Sequence, residues 1–153
     1  MAEVIKTYKQ SIPATRFIGI KYGDEDRSDG VFAAKWDEWF QNSRFASIEN
    51  AEGFDPAYFE DAGAYIGLMR MKNGDPFQYW IGMFAPEGTA VPEGYQYADF
   101  TAGTLGICWV RGPVPDVFCQ DDLVMEAFQK NDIIPVTDTD GAHWFFERYA
   151  CPR

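Results

Sequence analysis

The stretch AYIGLMRMKNGDPFQYWIGMFA, residues 64–85, contains two runs of aromatic and aliphatic residues on either side of a polar turn. Both runs are rich in the residue types that favour strands. Asn73-Gly74, between them, is the dipeptide most typical of a tight hairpin turn, because both residues tolerate a positive φ. The stretch therefore predicts a β-hairpin near the middle of the chain.

The segments before this hairpin predict a strand followed by a helix. Residues 16–22 are aromatic and β-branched, and the polar stretch after them offers Ser28 or Asp29 as a helix cap. The predicted helix carries residues 31–45, in which four aromatic residues recur at helical spacing: Phe32, Trp36, Trp39 and Phe40. An aromatic face of this kind usually packs on a sheet.

The second half of the chain repeats this order. Residues 95–112 predict a long extended segment, 116–132 an amphipathic helix, 133–137 a short strand and 143–151 the last strand. Two copies of strand, helix, strand, strand predict an α+β fold: a duplicated module that forms one curved, mainly antiparallel sheet with two helices on one face and a ligand cleft. The length of 153 residues predicts a single domain over 1–153.

Composition narrows the classes of partner. The net charge of -11 would repel a phosphate backbone, so direct DNA binding is not expected, whereas cationic ligands or basic proteins would be attracted. Aromatic residues make up 17% of the chain, enough to supply both a core and the walls of a cavity. The negative charge also has a simpler interpretation, which is solubility alone.

Disulfide bonds, membrane helices, metal sites and the common catalytic motifs are not expected in this chain. Three cysteines without a CxxC pair, and the lack of a signal peptide, predict reduced thiols in a cytoplasmic protein. No apolar run approaches the ~18 residues of a membrane helix. His143 is the sole histidine and the cysteines lack zinc-ligand spacing, so neither a metal nor another cofactor is expected. The nucleotide-binding and GxSxG motifs are missing from the sequence.

The closing stretch HWFFERYACPR places one acid, Glu147, among aromatic residues. On a strand, Phe145, Glu147 and Tyr149 project to one side. In an aromatic cleft Glu147 would be either the counter-ion of a lipophilic cation, with cation–π contacts of roughly 0.5–2 kcal/mol per ring, or an acid whose pKa is raised by burial. The structural alternative is a solvent-facing acid or one paired with a Lys or Arg.

Three stretches together resemble one family. FTAGTLGICWVRGPVPDVF (Phe100–Phe118), the closing FERY (Phe146–Tyr149) and the central hairpin are similar to the GyrI-like small-molecule-binding domains, also called AraC-type effector-binding or multidrug-binding domains. The resemblance implies that Glu147 sits in the pocket. The chain departs from the family in its long acidic segment 46–62 and in having no N-terminal helix-turn-helix, so we expect a stand-alone protein related to transcription regulators.

The resemblance and the aromatic pattern together predict which residues contact a ligand. Each of them is also a possible core residue. Beside Glu147, the candidates are Tyr65, Trp80, Phe84, Trp109, Trp39, Phe145 and Tyr149.

Three functional hypotheses follow. The first is a module that binds a hydrophobic, aromatic or cationic small molecule above Glu147. The second, implied by the resemblance, is a hydrolase that opens strained cyclopropane rings of genotoxic compounds, with Glu147 as acid/base and Tyr149 or Tyr65 as hydrogen-bond donor. The third, also implied by the resemblance, is a protein inhibitor of DNA gyrase, in which the acidic chain engages a basic protein surface.

Overall fold

The computed structural model describes residues 1–114, 116–117 and 120–148. Within them the chain forms seven strands and three α-helices. In chain order these are β1 (Glu3–Ile12), β2 (Thr15–Tyr22), α1 (Ala33–Gln41), α2 (Arg44–Glu49), β3 (Ile66–Met71), β4 (Gln78–Pro86), β5 (Gln96–Phe100), β6 (Gly103–Arg111), α3 (Asp121–Lys130) and β7 (His143–Arg148).

The α+β class is confirmed. The chain divides into two compact units, Met1–Ile12 with Ala102–Val136, and Pro13–Thr101 with Thr137–Arg153. The larger unit contains an antiparallel sheet with the strand order β5-β2-β4-β3-β7. The predicted hairpin forms its centre, since β3 pairs with β4 across a turn in which Gly74 has a φ of 88°. That a single domain spans the chain stays a prediction.

Two hydrophobic clusters cover the two faces of the five-stranded sheet. On one face, Ile18, Ile81 and Met83 pack under α1 and α2, and we call this the helix-covered face. Their neighbours along the strands point the other way, where Phe17, Trp80 and Phe84 form the centre of the second cluster. Consecutive residues alternate between the faces because the side-chain period of a strand is two.

Two glycines face each other across β2 and β4. Gly19 pairs with Gly82, and a Cβ added to Gly19 would collide with the carbonyl oxygen of Ile81. A Cβ added to Gly82 would likewise collide with the carbonyl oxygen of Ile18. The two backbones therefore approach more closely here than any other residue pair would permit.

The smaller unit is built from two strands and one helix. β1 pairs with β6 in antiparallel register over nearly its whole length, with a bulge between Val4 and Lys6. Helix α3 contacts both strands. A Cβ on Gly106 would lie 2.6 Å from a methyl group of Ile133, so the absence of a side chain in β6 permits the segment after α3 to pack there.

The structure corrects three details of the prediction. The first predicted helix is divided into α1 and α2, because Ser43 adopts a left-handed φ of 50°. The long segment 95–112 forms two strands, β5 and β6, rather than one. Residues 133–137 form no strand. The strands themselves are divided between a five-stranded and a two-stranded antiparallel sheet. No helix within the described residues is long and apolar enough to cross a membrane.

Candidate functional site

Glu147 lies on β7, at one edge of the five-stranded sheet, directly opposite Gly67 on β3. The hydroxyl group of Tyr79 donates a hydrogen bond of 2.9 Å to Glu147 Oε1. Tyr79 is 6% exposed and belongs to the core of the helix-covered face. The half-buried carboxyl group is therefore directed toward the helix-covered side of the sheet.

Trp36, on α1, extends this contact into a chain of hydrogen bonds. Its Nε1 lies 2.9 Å from the Tyr79 hydroxyl oxygen. An indole nitrogen can only donate, so the Tyr79 oxygen accepts from Trp36, and the Tyr79 hydroxyl group donates to Glu147. Both hydrogen bonds run in the same direction, from Trp36 through Tyr79 to Glu147. We call these three residues the Trp36–Tyr79–Glu147 chain.

Gly67 makes room for this chain. A Cβ at this position would lie 2.5 Å from the Tyr79 hydroxyl oxygen and 3.1 Å from Glu147 Oε1. Both distances are shorter than an ordinary van der Waals contact to carbon, so a larger residue would displace one of the two partners. The edge of the sheet is thus shaped for a tyrosine and a glutamate that bond to each other.

The segment that precedes α1 covers Tyr79. Phe32 stacks on the Tyr79 ring with a centroid distance of 4.2 Å and an angle of 4°. The guanidinium group of Arg27 lies 4.8 Å from the centroid of the Phe32 ring and 5.2 Å from that of Phe77. Arg27 is held in place by Asp24, at 2.9 Å. The site thus already contains stacked rings and a cation on an aromatic face.

A second set of rings surrounds Trp36. Phe45 stacks on Tyr65 at 3.9 Å, and Phe40 lies 5.9 Å from Tyr65 and 6.2 Å from Trp36. We call Trp36, Phe40, Phe45 and Tyr65 the aromatic cluster. Phe40 is 57% exposed although it contacts the other three rings, so the cluster opens to solvent through Phe40.

The structure brings some predicted site residues to this region. Tyr65 belongs to the aromatic cluster, and Phe145 lies two residues before Glu147 on the same side of β7, with an exposure of 36%. Trp39 is fully buried in the same core, where its Nε1 donates a hydrogen bond of 3.0 Å to the Tyr22 hydroxyl. Burial raises the pKa of the Tyr22 phenol, and the bond from Trp39 opposes that rise.

Other predicted residues lie elsewhere. Trp80 and Phe84 are on the opposite face from Glu147, where both contact the ring of Phe17 edge-on. Trp109 belongs to the smaller unit, and its Nε1 donates a hydrogen bond of 3.1 Å to the hydroxyl group of Tyr8. Tyr149 lies outside the described residues.

Sequence reasoning missed Tyr79, Trp36 and Gly67 as parts of the site. The alternation on β4 separates Tyr79 from Trp80, but only the register of β3 against β7 shows that the Tyr79 face is shared with Glu147. The available signal was a glycine within an apolar strand, which often marks a close approach of another group.

The described part of the chain contains no group of three or more His, Cys, Asp or Glu side chains placed to hold a metal ion. Around Glu147 the structure brings together a carboxyl group, the hydroxyl group of Tyr79, several aromatic rings and the guanidinium group of Arg27.

Comparison with known proteins gives structural relatives only. No protein-family profile matches the chain, and no curated protein does. The fold is similar to that of a candidate bacterial transcription regulation protein from Staphylococcus aureus MU50, with a TM-score of 0.61, 17% identity and coverage of 97% of this chain and 89% of that one. It is also similar to the structure of SAV2435 bound to tetraphenylphosphonium, with a TM-score of 0.62, 17% identity and coverage of 97% and 86%. Identity at this level shows the shared fold alone.

Proposed function

We propose that this chain is a GyrI-like ligand-binding domain that takes up a hydrophobic, aromatic or cationic small molecule beside Glu147. The observation that carries this proposal is the Trp36–Tyr79–Glu147 chain next to an aromatic cluster that reaches the surface. The fold that this chain shares with SAV2435, whose structure contains tetraphenylphosphonium, supports the same class of ligand. The biological role would be sequestration of a drug or toxin, or coupling of such a ligand to transcription regulation.

A lipophilic cation fits this region better than a neutral ligand does. A carboxylate offers a counter-ion, and each ring whose face meets the cation adds about 0.5–2 kcal/mol, depending on how dry the contact is. The net charge of -11 raises the local concentration of cations around the protein. A neutral aromatic compound would gain only from burial of its apolar surface.

The test is a titration with tetraphenylphosphonium followed by tryptophan fluorescence. Glu147→Gln keeps the shape of the side chain and removes its charge, and it should weaken binding about tenfold, which corresponds to ~1.4 kcal/mol. Glu87→Gln is the matched control, because it removes the same charge from an exposed position after β4. Triphenylphosphine oxide, which is neutral, should bind both variants equally. Equal weakening of tetraphenylphosphonium binding by the two substitutions would reduce the role of Glu147 to overall charge and overturn the proposal.

A further inference from the structure

The smaller unit has a groove that the proposed ligand site does not use. It lies between helix α3 and the segment that follows it, and it has a volume of about 620 Å³. Its apolar surface comes from Met125, Ile134 and Pro135, and its charged rim from Asp122, Glu126 and Asp132. We call it the α3 groove. A volume of this size falls within the roughly 300–1,000 Å³ typical of binding sites.

The groove exposes apolar side chains that a monomer would ordinarily bury. Ile134 is 82% exposed and Met125 is 50% exposed, and Val136, which follows Pro135, is 80% exposed. Large apolar residues grouped around a concave surface and rimmed by polar ones are typical of protein interaction sites. Met125 adds an unbranched, adaptable side chain of the kind that promiscuous docking grooves use.

The groove is also held open by its own contacts. The segment after α3 is tied to the end of the helix, because the Ile133 amide donates to the Phe128 carbonyl at 2.9 Å and the Asn131 side chain donates to the Ala127 carbonyl at 2.8 Å. Ile133 itself is buried against Gly106. Anchoring of Ile133 leaves its neighbour Ile134 directed outward. A partner would therefore meet a preformed surface, which lowers the entropic cost of binding.

The charges around the groove select among possible occupants. Asp122, Glu126 and Asp132 line the groove beside the apolar surface, and Lys130 forms an exposed ion pair with Glu126 at 2.9 Å that contributes little in water. A second copy of this chain would bring the same three carboxylates and another net charge of -11, so the two like-charged surfaces would repel each other. The complementary partner is a positively charged one with apolar anchors.

We propose that the α3 groove docks a basic amphipathic helix of another protein. Leucine-like side chains at positions i, i+3 and i+7 of that helix would fill the surface formed by Met125, Ile134 and Pro135. Lysine or arginine residues flanking them would meet the carboxylates on the rim. Glu147 is not part of this groove, because it belongs to the other unit.

The probe is a fluorescein-labelled peptide of leucine and lysine with that spacing, roughly 15 residues or four helical turns long. Fluorescence anisotropy should show binding that weakens as salt is raised from low to physiological ionic strength. Ile134→Ser should weaken it about tenfold, because an exposed apolar anchor is lost without disturbance of the core. Ile5→Ser is the matched control in the same unit, with an exposure of 51%, and should leave the affinity unchanged.

A second peptide, with glutamate in place of each lysine, tests the charge complementarity, and it should not bind. Amide chemical shifts should move in α3 and in residues 132–136 when the leucine-lysine peptide is added. The proposal is overturned if the acidic peptide binds as well as the basic one, or if Ile134→Ser and Ile5→Ser have equal effects. It is also overturned if the shifts map elsewhere, if tetraphenylphosphonium displaces the peptide, or if sedimentation shows that the groove joins two copies of this chain.

Discussion

Substitution of Gly67 by alanine tests the geometry of the Trp36–Tyr79–Glu147 chain most directly. The new methyl group would lie 2.5 Å from the Tyr79 hydroxyl oxygen, 3.0 Å from the ring carbon that carries it and 3.1 Å from Glu147 Oε1. Tyr79 has little freedom to retreat, because Phe32 is stacked on its ring at 4.2 Å. We therefore expect the hydrogen bond between Tyr79 and Glu147 to break.

The expected cost follows from three contributions, of which the third opposes the other two. A hydrogen bond to a charged group contributes about 1.5–3 kcal/mol, and overpacking of a methyl group costs about 1–3 kcal/mol. Replacement of a glycine within a strand by alanine returns roughly 0.5–1 kcal/mol, because glycine loses more entropy on folding. The variant Gly67→Ala should thus lower the free energy of unfolding by about 1.5–5.5 kcal/mol, with a lower midpoint in urea and weaker binding of tetraphenylphosphonium.

A double-mutant cycle isolates the contact with the hydroxyl group. Tyr79→Phe removes the atom that the new methyl group would meet at 2.5 Å, so Gly67→Ala should cost clearly less in that background than in the wild type. If Gly67→Ala has the same effect on urea unfolding in both backgrounds, or no effect in the wild type, the methyl group does not compete with the hydroxyl group and the reasoning is refuted.

Three further substitutions test other parts of the molecule. Phe40→Ala should change the free energy of unfolding by no more than about 0.5 kcal/mol, because the ring is 57% exposed, yet weaken tetraphenylphosphonium binding severalfold in the fluorescence titration. Arg148→Met should destabilise the protein by about 2–4 kcal/mol in urea, because it leaves the buried carboxylate of Asp61 without its ion-pair partner at 2.8 Å; a loss below 0.5 kcal/mol would contradict this. The Ala142 amide donates to the Asp138 carboxylate and lowers its pKa, so Asp138 stabilises the fold above its unfolded pKa, and this contribution is lost as pH falls through its lower folded pKa. Asp138→Asn should therefore be less stable than the wild type at pH 7. The difference in thermal unfolding between the two proteins should shrink below about pH 4, and a difference that persists there would contradict this.

Local pattern was sufficient to predict the strands of the central hairpin and that Phe145 and Glu147 share one side of β7. Both depend on residues that are close in sequence, and alternation along a strand is a local property. The break between α1 and α2 was missed because the left-handed conformation of Ser43 has no distinctive residue type, as glycine would have.

The hydrogen-bond partners of Glu147 could not be predicted from the sequence for a different reason. Tyr79 is 68 residues away in sequence, and the pairing of β3 with both β4 and β7 brings the two side chains together. Alternation divided β4 into a Tyr79 side and a Trp80 side without showing which of them α1 covers. The pairing register between strands that are distant in sequence decides that point, and the sequence of one strand alone does not reveal this register.

The facing glycines of β2 and β4 limit which substitutions this fold can accept during evolution. Since a side chain on either Gly19 or Gly82 would strike the backbone of the opposite strand, most single-nucleotide changes in their codons would separate the centre of the sheet. The surrounding positions need only remain apolar. We therefore expect glycine at these two positions, sixty-three residues apart, to persist in proteins of this fold, where the pair could guide the alignment of relatives whose remaining sequence no longer matches.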